Sequence, residues 1–158
     1  MRLQLALNVD DIDQAVDFYS KLFATEPAKR KPGYANFAIA NPPLKLVLFE
    51  VKGAPERLNH LGVEVFDGEA VTAATERLKA AGLETLVEDE TTCCYAKQDK
   101  VWTLEPQGLR WEWYRVLEHS ETFAATAPEE RAGVAEGCCV ETGDARGVRE
   151  AAAPEACC

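Results

Sequence analysis

The sequence predicts an α+β protein in which one strand–helix–strands motif is used twice. Three observations support this. Stretches of alternating apolar and polar residues, the period of a strand, surround two stretches whose apolar residues recur every three to four positions, the period of a helix. The two rounds also align with one another. Q-L-A-L-N-V-D-D, starting at Gln4, matches H-L-G-V-E-V-F-D, starting at His60, at an offset of 56; P-P-L-K-L-V-L-F-E matches Q-G-L-R-W-E-W-Y-R at an offset of 65, which sets Val47 against Glu112. Finally, 158 residues, 47% of them hydrophobic, are enough to build one core shared by two small modules.

In the first round, Leu3, Leu5, Leu7 and Val9 alternate with Gln4, Ala6 and Asn8 as a strand. Asp10 or Asp11 then caps a helix with the apolar stripe Ile12, Ala15, Val16, Tyr19 and Phe23. Lys29 to Gly33 reads as a basic, solvated loop. Tyr34–Ala40 and Leu44–Glu50 read as strands around the turn Asn41-Pro42-Pro43, and 51–57 is a polar linker. The second round opens with a strand from His60 to Phe66. A helix follows, with the stripe Val71, Ala74, Leu78 and Ala81, and Gly82 closes it.

Leu83–Val87, Tyr95–Leu104 and Leu109–Val116 are the remaining strands, with Thr91–Cys94 as a loop among them. The offset grows from 56 to 65, so the second copy carries extra residues, expected near that loop. After Glu118 the apolar period stops. The expected organisation is therefore a domain over 1–118, with modules at about 1–52 and 58–118, and a flexible Ala/Glu/Gly-rich tail over 119–158.

With 17 Lys and Arg against 27 Asp and Glu, the net charge is −10, which argues against broad contact with nucleic-acid phosphates or an anionic membrane. No apolar run reaches the ~20 residues of a membrane span, and the N-terminus alternates instead of forming a signal core. A cytoplasmic protein is expected. The six cysteines form three adjacent pairs: Cys93-Cys94, Cys138-Cys139 and Cys157-Cys158. Their spacing does not suit a zinc site, but neighbouring thiolates can chelate a soft centre.

Three polar residues stand out: two at equivalent places in the two rounds, and a third where the first round has Val47. Gln4 faces away from Leu3 and Leu5, His60 occupies the matching place in the second copy, and Glu112 lies opposite Trp111 and Trp113 on the last strand. A half-buried carboxylate between two tryptophans is costly without a partner, and a divalent metal would be one. Gln, His and Glu would supply an amide oxygen, an imidazole and a carboxylate, leaving coordination positions open. Each has a plainer reading: His60 as a structural histidine, Glu112 as a salt-bridged strand residue, Gln4 as a polar strand position. Trp111, Trp113 and Phe37 read as core. Tyr95, Lys97, Gln98, Asp99 and Lys100 read either as shaping the adjoining loop or as solvated strand residues.

With these residues in place, the sequence resembles the vicinal oxygen chelate superfamily of glyoxalases, bleomycin-resistance proteins and type I extradiol dioxygenases. Within it, the sequence is most similar to the non-heme iron dioxygenases that cleave the carbon–arsenic bond of trivalent organoarsenicals, with cadmium-induced proteins as relatives. The segments carrying this are L-N-H-L-G-V-E-V (58–65), T-T-C-C-Y-A-K-Q-D-K-V-W (91–102) and A-K-R-K-P-G-Y-A-N-F (28–37). The resemblance covers 1–117. It implies two tandem βαβββ modules forming a cupped mixed β-sheet with flanking helices, and Fe(II) held by Gln4, His60 and Glu112 with dioxygen as co-substrate. It departs from the usual two-His, one-carboxylate set, because Gln4 takes the first place.

The resemblance also gives Cys93 and Cys94 a role. Trivalent arsenic with one carbon substituent has two exchangeable positions, which two thiolates can fill if both cysteines sit in a turn. The implied partner is a small organoarsenical, with arsenite as product. A thiol-based protein sequestering cadmium or arsenic is the alternative. A glyoxalase-like reading is weaker, since Val47 stands where a second carboxylate would be expected. Cys138, Cys139, Cys157 and Cys158 read equally as extra capture arms or as residues without a role. The modules could close one cup within a chain or pair across a homodimer.

Overall fold

The computed structural model describes residues 1–123. Its elements are β1 (Arg2–Val9), α1 (Ile12–Phe23), β2 (Lys29–Lys31), β3 (Tyr34–Ile39), β4 (Leu44–Glu50), β5 (Leu58–Glu64), α2 (Gly68–Ala80), β6 (Thr85–Cys93), β7 (Ala96–Leu104) and β8 (Arg110–His119). The expected βαβββ order appears twice. All eight strands join one sheet in the order β2-β3-β4-β1-β5-β8-β7-β6, so the modules meet where β1 pairs antiparallel with β5. Within each module the first and last strands are parallel, β1 with β4 and β5 with β8, as a helical crossover requires.

The helices form where the sequence places them. Asp11 caps α1 by accepting from the backbone N–H of Asp13 and Gln14, both at 2.9 Å, and Asp67 caps α2 by accepting from that of Glu69 at 3.0 Å. On one face of the sheet, α1 packs Ile12 and Val16 against Phe37, Leu46 and Leu48, the main apolar core. On the same face of the second module, Ala74 and Leu78 of α2 meet Val101, with Trp113 beside them. The opposite face curls into a cup. Its two ends touch across the mouth: Lys29 of β2 donates to the Tyr95 carbonyl at 2.6 Å, and the Tyr34 and Tyr95 rings lie 5.3 Å apart.

Several boundaries differ from the sequence expectation. Lys29–Lys31 is a short edge strand, not a solvated loop; charged residues are a common way to blunt such an edge. Thr91, Thr92 and Cys93 continue β6 instead of forming a loop, so the extra residues lengthen a hairpin arm. Ala81 lies beyond α2, as its exposed C-cap. His119 closes β8, opposite Ala96, so the domain runs past 118. The described residues of one chain supply all eight strands of the sheet. The two downstream cysteine pairs, and most of the expected tail, lie outside the described residues.

Candidate metal centre and thiol hairpin

Gln4, His60 and Glu112 come from three adjacent strands, β1, β5 and β8, and all point into the cup. The register shows how they converge: Gly62 on the central strand pairs with Gln4 on one side and with Glu112 on the other. Having no side chain, Gly62 lets its two neighbours close over it. A Cβ there would stand 2.9 Å from Glu112 Cγ and 3.3 Å from Gln4 Nε2. His60, two residues earlier on the same face, completes the group. All three are buried.

The polar atoms lie almost in contact. Gln4 Nε2 is 3.1 Å from His60 Nε2 and 2.5 Å from Glu112 Oε1, and those last two atoms are 3.3 Å apart. Metal bonds of ~2.1 Å at right angles put adjacent donors ~3 Å apart, so the spacing is that of one face of an octahedron. The amide oxygen of Gln4 accepts from the Tyr114 hydroxyl. Turning the isosteric amide over would present its oxygen to the centre and its N–H₂ to the Tyr114 oxygen. Among the described residues no three His, Cys, Asp or Glu side chains gather for a metal. This set has two of them and needs the amide as its third donor. With that donor, the residues fit a divalent cation.

Lys100 and Asn59 support the ligands. The Lys100 ammonium bonds Glu112 Oε2 at 3.0 Å, leaving Oε1 for the centre. Burial works against the Glu112 carboxylate, but the Lys100 charge beside it opposes that cost, and its pKa lies low, at about 2. Burial also works against the charge on Lys100, yet Glu112 keeps that pKa above its ordinary value. His60 Nδ1 lies 2.7 Å from Asn59 Oδ1, which turns Nε2 inward.

The second candidate element is the β6–β7 hairpin. Cys93 is the last residue of β6 and pairs with Ala96, leaving Cys94 and Tyr95 as a two-residue turn with φ of 55° and 63°. Both central residues have positive φ, as in a type I′ turn, a place normally given to Asn-Gly; for cysteine and tyrosine the conformation is strained. The turn defeats strand alternation. The two free thiols converge, with sulfurs 3.0 Å apart. A hydrogen bond from Cys94 lowers the Cys93 pKa to about 7, against the effect of burial and with help from Lys100; donating that bond, and then burial, raises the pKa of Cys94. Near neutral pH the pair is thus divided between two thiols and a thiolate beside a thiol.

One cleft of about 70 Å³ contains both elements. Its lining includes Gln4, His60 and Glu112 together with Cys93 and Cys94. Lys100, Gln98 and Trp102 of β7 border it on one side, and Tyr34, Val47 and Phe49 on the other. The sequence reading brought all five expected residues to one place. It did not single out Asn59, Trp102 or Tyr114, and it left Lys100 among undecided candidates. For Lys100 the alternation of Gln98, Lys100 and Trp102 with apolar Val101 carried a signal. Phe37 lies in the core as expected, and Trp113 packs under α2.

Comparison with known proteins agrees with this architecture. The model of the Glyoxalase/Bleomycin resistance protein/Dioxygenase superfamily matches residues 3–113. Cadmium-induced protein CadI of Mycobacterium tuberculosis is 63% identical over 124 residues, covering 78% of this chain and 82% of that protein. A trivalent organoarsenical cleaving enzyme of Thermomonospora curvata is 57% identical over 124 residues, with the same coverage of 78% and 82%. Among solved structures, the Mn(II)-bound glyoxalase of Novosphingobium aromaticivorans superposes with a TM-score of 0.55 at 18% identity, covering 78% of this chain and 41% of that one. At that identity the likeness is one of fold. Among the described residues no helix is long and apolar enough to cross a membrane.

Proposed function

This chain belongs to the Glyoxalase/Bleomycin resistance protein/Dioxygenase superfamily, and on that premise we propose that it is an Fe(II)-dependent dioxygenase that cleaves the carbon–arsenic bond of trivalent organoarsenicals. The observation that carries this reading is the shared cleft, in which two convergent thiols face the same space as a Gln–His–Glu donor set. The name of the 57% identical relative, an organoarsenical cleaving enzyme, supports it.

In this reading His60 Nε2, Glu112 Oε1 and the Gln4 amide oxygen hold the metal. Fe(II) bound there would supply activation of dioxygen. The rest falls to the chain. The Cys93 thiolate attacks arsenic and displaces one hydroxide; Cys94 follows, its proton leaving with the second oxygen as water. Arsenic is then held as a dithiolate, with its carbon substituent as the remaining bond. The hairpin fixes that substituent in the cleft, which gives proximity and orientation. The Tyr34, Val47 and Phe49 wall provides apolar surface for it. Methylarsonite would yield arsenite and a one-carbon fragment; an aryl arsenical would yield arsenite and an oxygenated ring.

The test is anaerobic loading with Fe(II), addition of methylarsonite and a reductant, admission of oxygen, and arsenic speciation. Arsenite from the wild type and none from a Cys93→Ser, Cys94→Ser protein is the expected result. Bound methylarsonite with no arsenite would refute the reading. It would favour the second one, a thiol-based cadmium or arsenic sequestering protein, which the 63% identical cadmium-induced relative motivates. Sequestration predicts capture that Glu112→Ala leaves intact.

A further inference from the structure

We propose that Asn59 is a positioning residue that keeps His60 in its metal-binding tautomer by outcompeting Glu112 for the single proton of the neutral ring; the inference rests on the metal reading above. A neutral imidazole carries one N–H, and only the bare nitrogen can bind a metal. Two acceptors face the ring. Asn59 Oδ1 lies 2.7 Å from Nδ1, and Glu112 Oε1 lies 3.3 Å from Nε2. The buried carboxylate is the stronger acceptor. If it took the proton, His60 and Glu112 would become a hydrogen-bonded pair with an N–H filling the space between them, and the donor set would be closed.

The geometry points to a relay that prevents this. It starts at the backbone carbonyl of Glu56, which can only accept. Asn8 Nδ2 donates to that carbonyl at 3.0 Å, so Asn8 turns its oxygen toward Asn59. Asn59 Nδ2 donates to that oxygen at 2.9 Å, so Asn59 turns its own oxygen toward the ring. Arg110 Nη2, which can only donate, reaches the same Asn59 oxygen at 3.2 Å and requires the same orientation. No amide in the relay can turn over without setting donor against donor or acceptor against acceptor. In the metal-free chain the inner side agrees: the Gln4 N–H₂ lies 3.1 Å from His60 Nε2, a donor facing a bare nitrogen, and the amide turns over only when its oxygen joins the centre.

The relay parallels the ligand set strand by strand. Asn8 and Gln4 share β1, Asn59 and His60 share β5, and Arg110 and Glu112 share β8. Arg110 also stacks over the Trp102 ring at 5.6 Å, and that ring meets the His60 ring edge-on at 5.3 Å. The imidazole is therefore held in both orientation and tautomer.

The test reads the proton directly on the full chain before any metal is added. Long-range ¹H–¹⁵N correlation of ¹⁵N-histidine-labelled protein at pH about 8.5, above the ordinary imidazole range, distinguishes the two tautomers. Because the chain has two histidines, His119→Gln assigns the signals. The wild type is expected to carry its proton on Nδ1, Asn59→Leu on Nε2, and Asn59→Asp on Nδ1 again, since a carboxylate also accepts. Fe(II) affinity, measured anaerobically, should fall roughly 10- to 100-fold in Asn59→Leu. Asn8→Ala combined with Arg110→Ala leaves Asn59 in place but removes both groups that fix its amide, and should give a tautomer mixture. It keeps the proposal testable if Asn59→Leu does not fold. A proton on Nε2 in the wild type, or on Nδ1 alone in Asn59→Leu or in the Asn8→Ala, Arg110→Ala protein, would overturn the proposal. The expected tautomer pattern without Fe(II) binding in any variant supports the relay and counts against the iron reading alone.

Discussion

The two modules have the same order of elements and present different chemistry to the cup. At equivalent positions the first module has Gln4, Ala6 and Val47 where the second has His60, Gly62 and Glu112. Around Ala6 and Val47 the first half builds an apolar wall with Tyr34 and Phe49, whereas the second half surrounds Glu112 with Lys100, His60 and Gln4. The hairpins differ as well. In the first module the arms are three and six residues long, and in the second both are nine. The longer one carries Cys93 and Cys94 over the cleft. The repeat thus provides one scaffold twice, and a few changes divide it into an apolar half and a half that carries the Gln–His–Glu cluster's charge and the two thiols.

Converting the second half toward the first is the sharpest way to break this division. Glu112→Val puts the first module's residue into the second. It removes a proposed ligand and leaves Lys100, 3% exposed, without its partner. Arsenite release should drop to background, anaerobic titration should find no stoichiometric Fe(II), and unfolding should cost about 3–5 kcal/mol less. Adding Lys100→Met should return most of the stability and none of the activity. Retained turnover in either protein would remove Glu112 from the centre. Cys93→Ser with Cys94→Ser comes next. Fe(II) affinity should stay unchanged while turnover of methylarsonite falls about 100-fold or more, because the substrate loses its tether.

Which parts of the contrast were legible in the sequence follows from the physics of each. The triad was legible because strand alternation and the repeat register fix direction and position together, and because a carboxylate flanked by Trp111 and Trp113 stands out in a buried strand. The hairpin was only half legible. Convergence of the two sulfurs requires a turn, and the turn exists, but Cys94 and Tyr95 carry none of the Gly or Asn signature of positive φ. The loop was therefore placed over Thr91–Cys94, starting three residues before the turn at Cys94 and Tyr95; Thr91, Thr92 and Cys93 in fact extend β6. Lys29–Lys31 was hidden by its charge. Asn59 was invisible for another reason: its part depends on the orientation of amides from β1 and on a linker carbonyl, which no local pattern encodes.

A finer test of the contrast is Gly62→Ala, which gives the second module the alanine of the first. The added Cβ would meet Glu112 Cγ at 2.9 Å, so the carboxylate and Gln4 must separate. Fe(II) affinity should fall about tenfold or more, and stability by about 1–3 kcal/mol from overpacking. Equal affinity in calorimetric Fe(II) titration would mean that the close approach over Gly62 is unrelated to the metal. Ala6→Gly, the reciprocal change, should leave Fe(II) affinity untouched.

The smallest expected effect concerns the proton on the thiol hairpin. Cys93 loses its proton at about 7 because Cys94 donates a hydrogen bond to the sulfur, with Lys100 adding its charge against the cost of burial. The thiolate is the reactive form, so the rate of alkylation by iodoacetamide should rise with pH and level off above a midpoint of about 7. Cys94→Ala removes the donated bond and should move the midpoint up, toward the ordinary thiol value of about 8.5. The direction matters: a raised pKa means less thiolate at neutral pH and slower capture there, but the same plateau at alkaline pH. A midpoint unmoved in Cys94→Ala would mean that Lys100, not the neighbouring thiol, supports the anion. The asymmetry between modules would then rest on β7 alone and not on the strained turn at the tip of its hairpin.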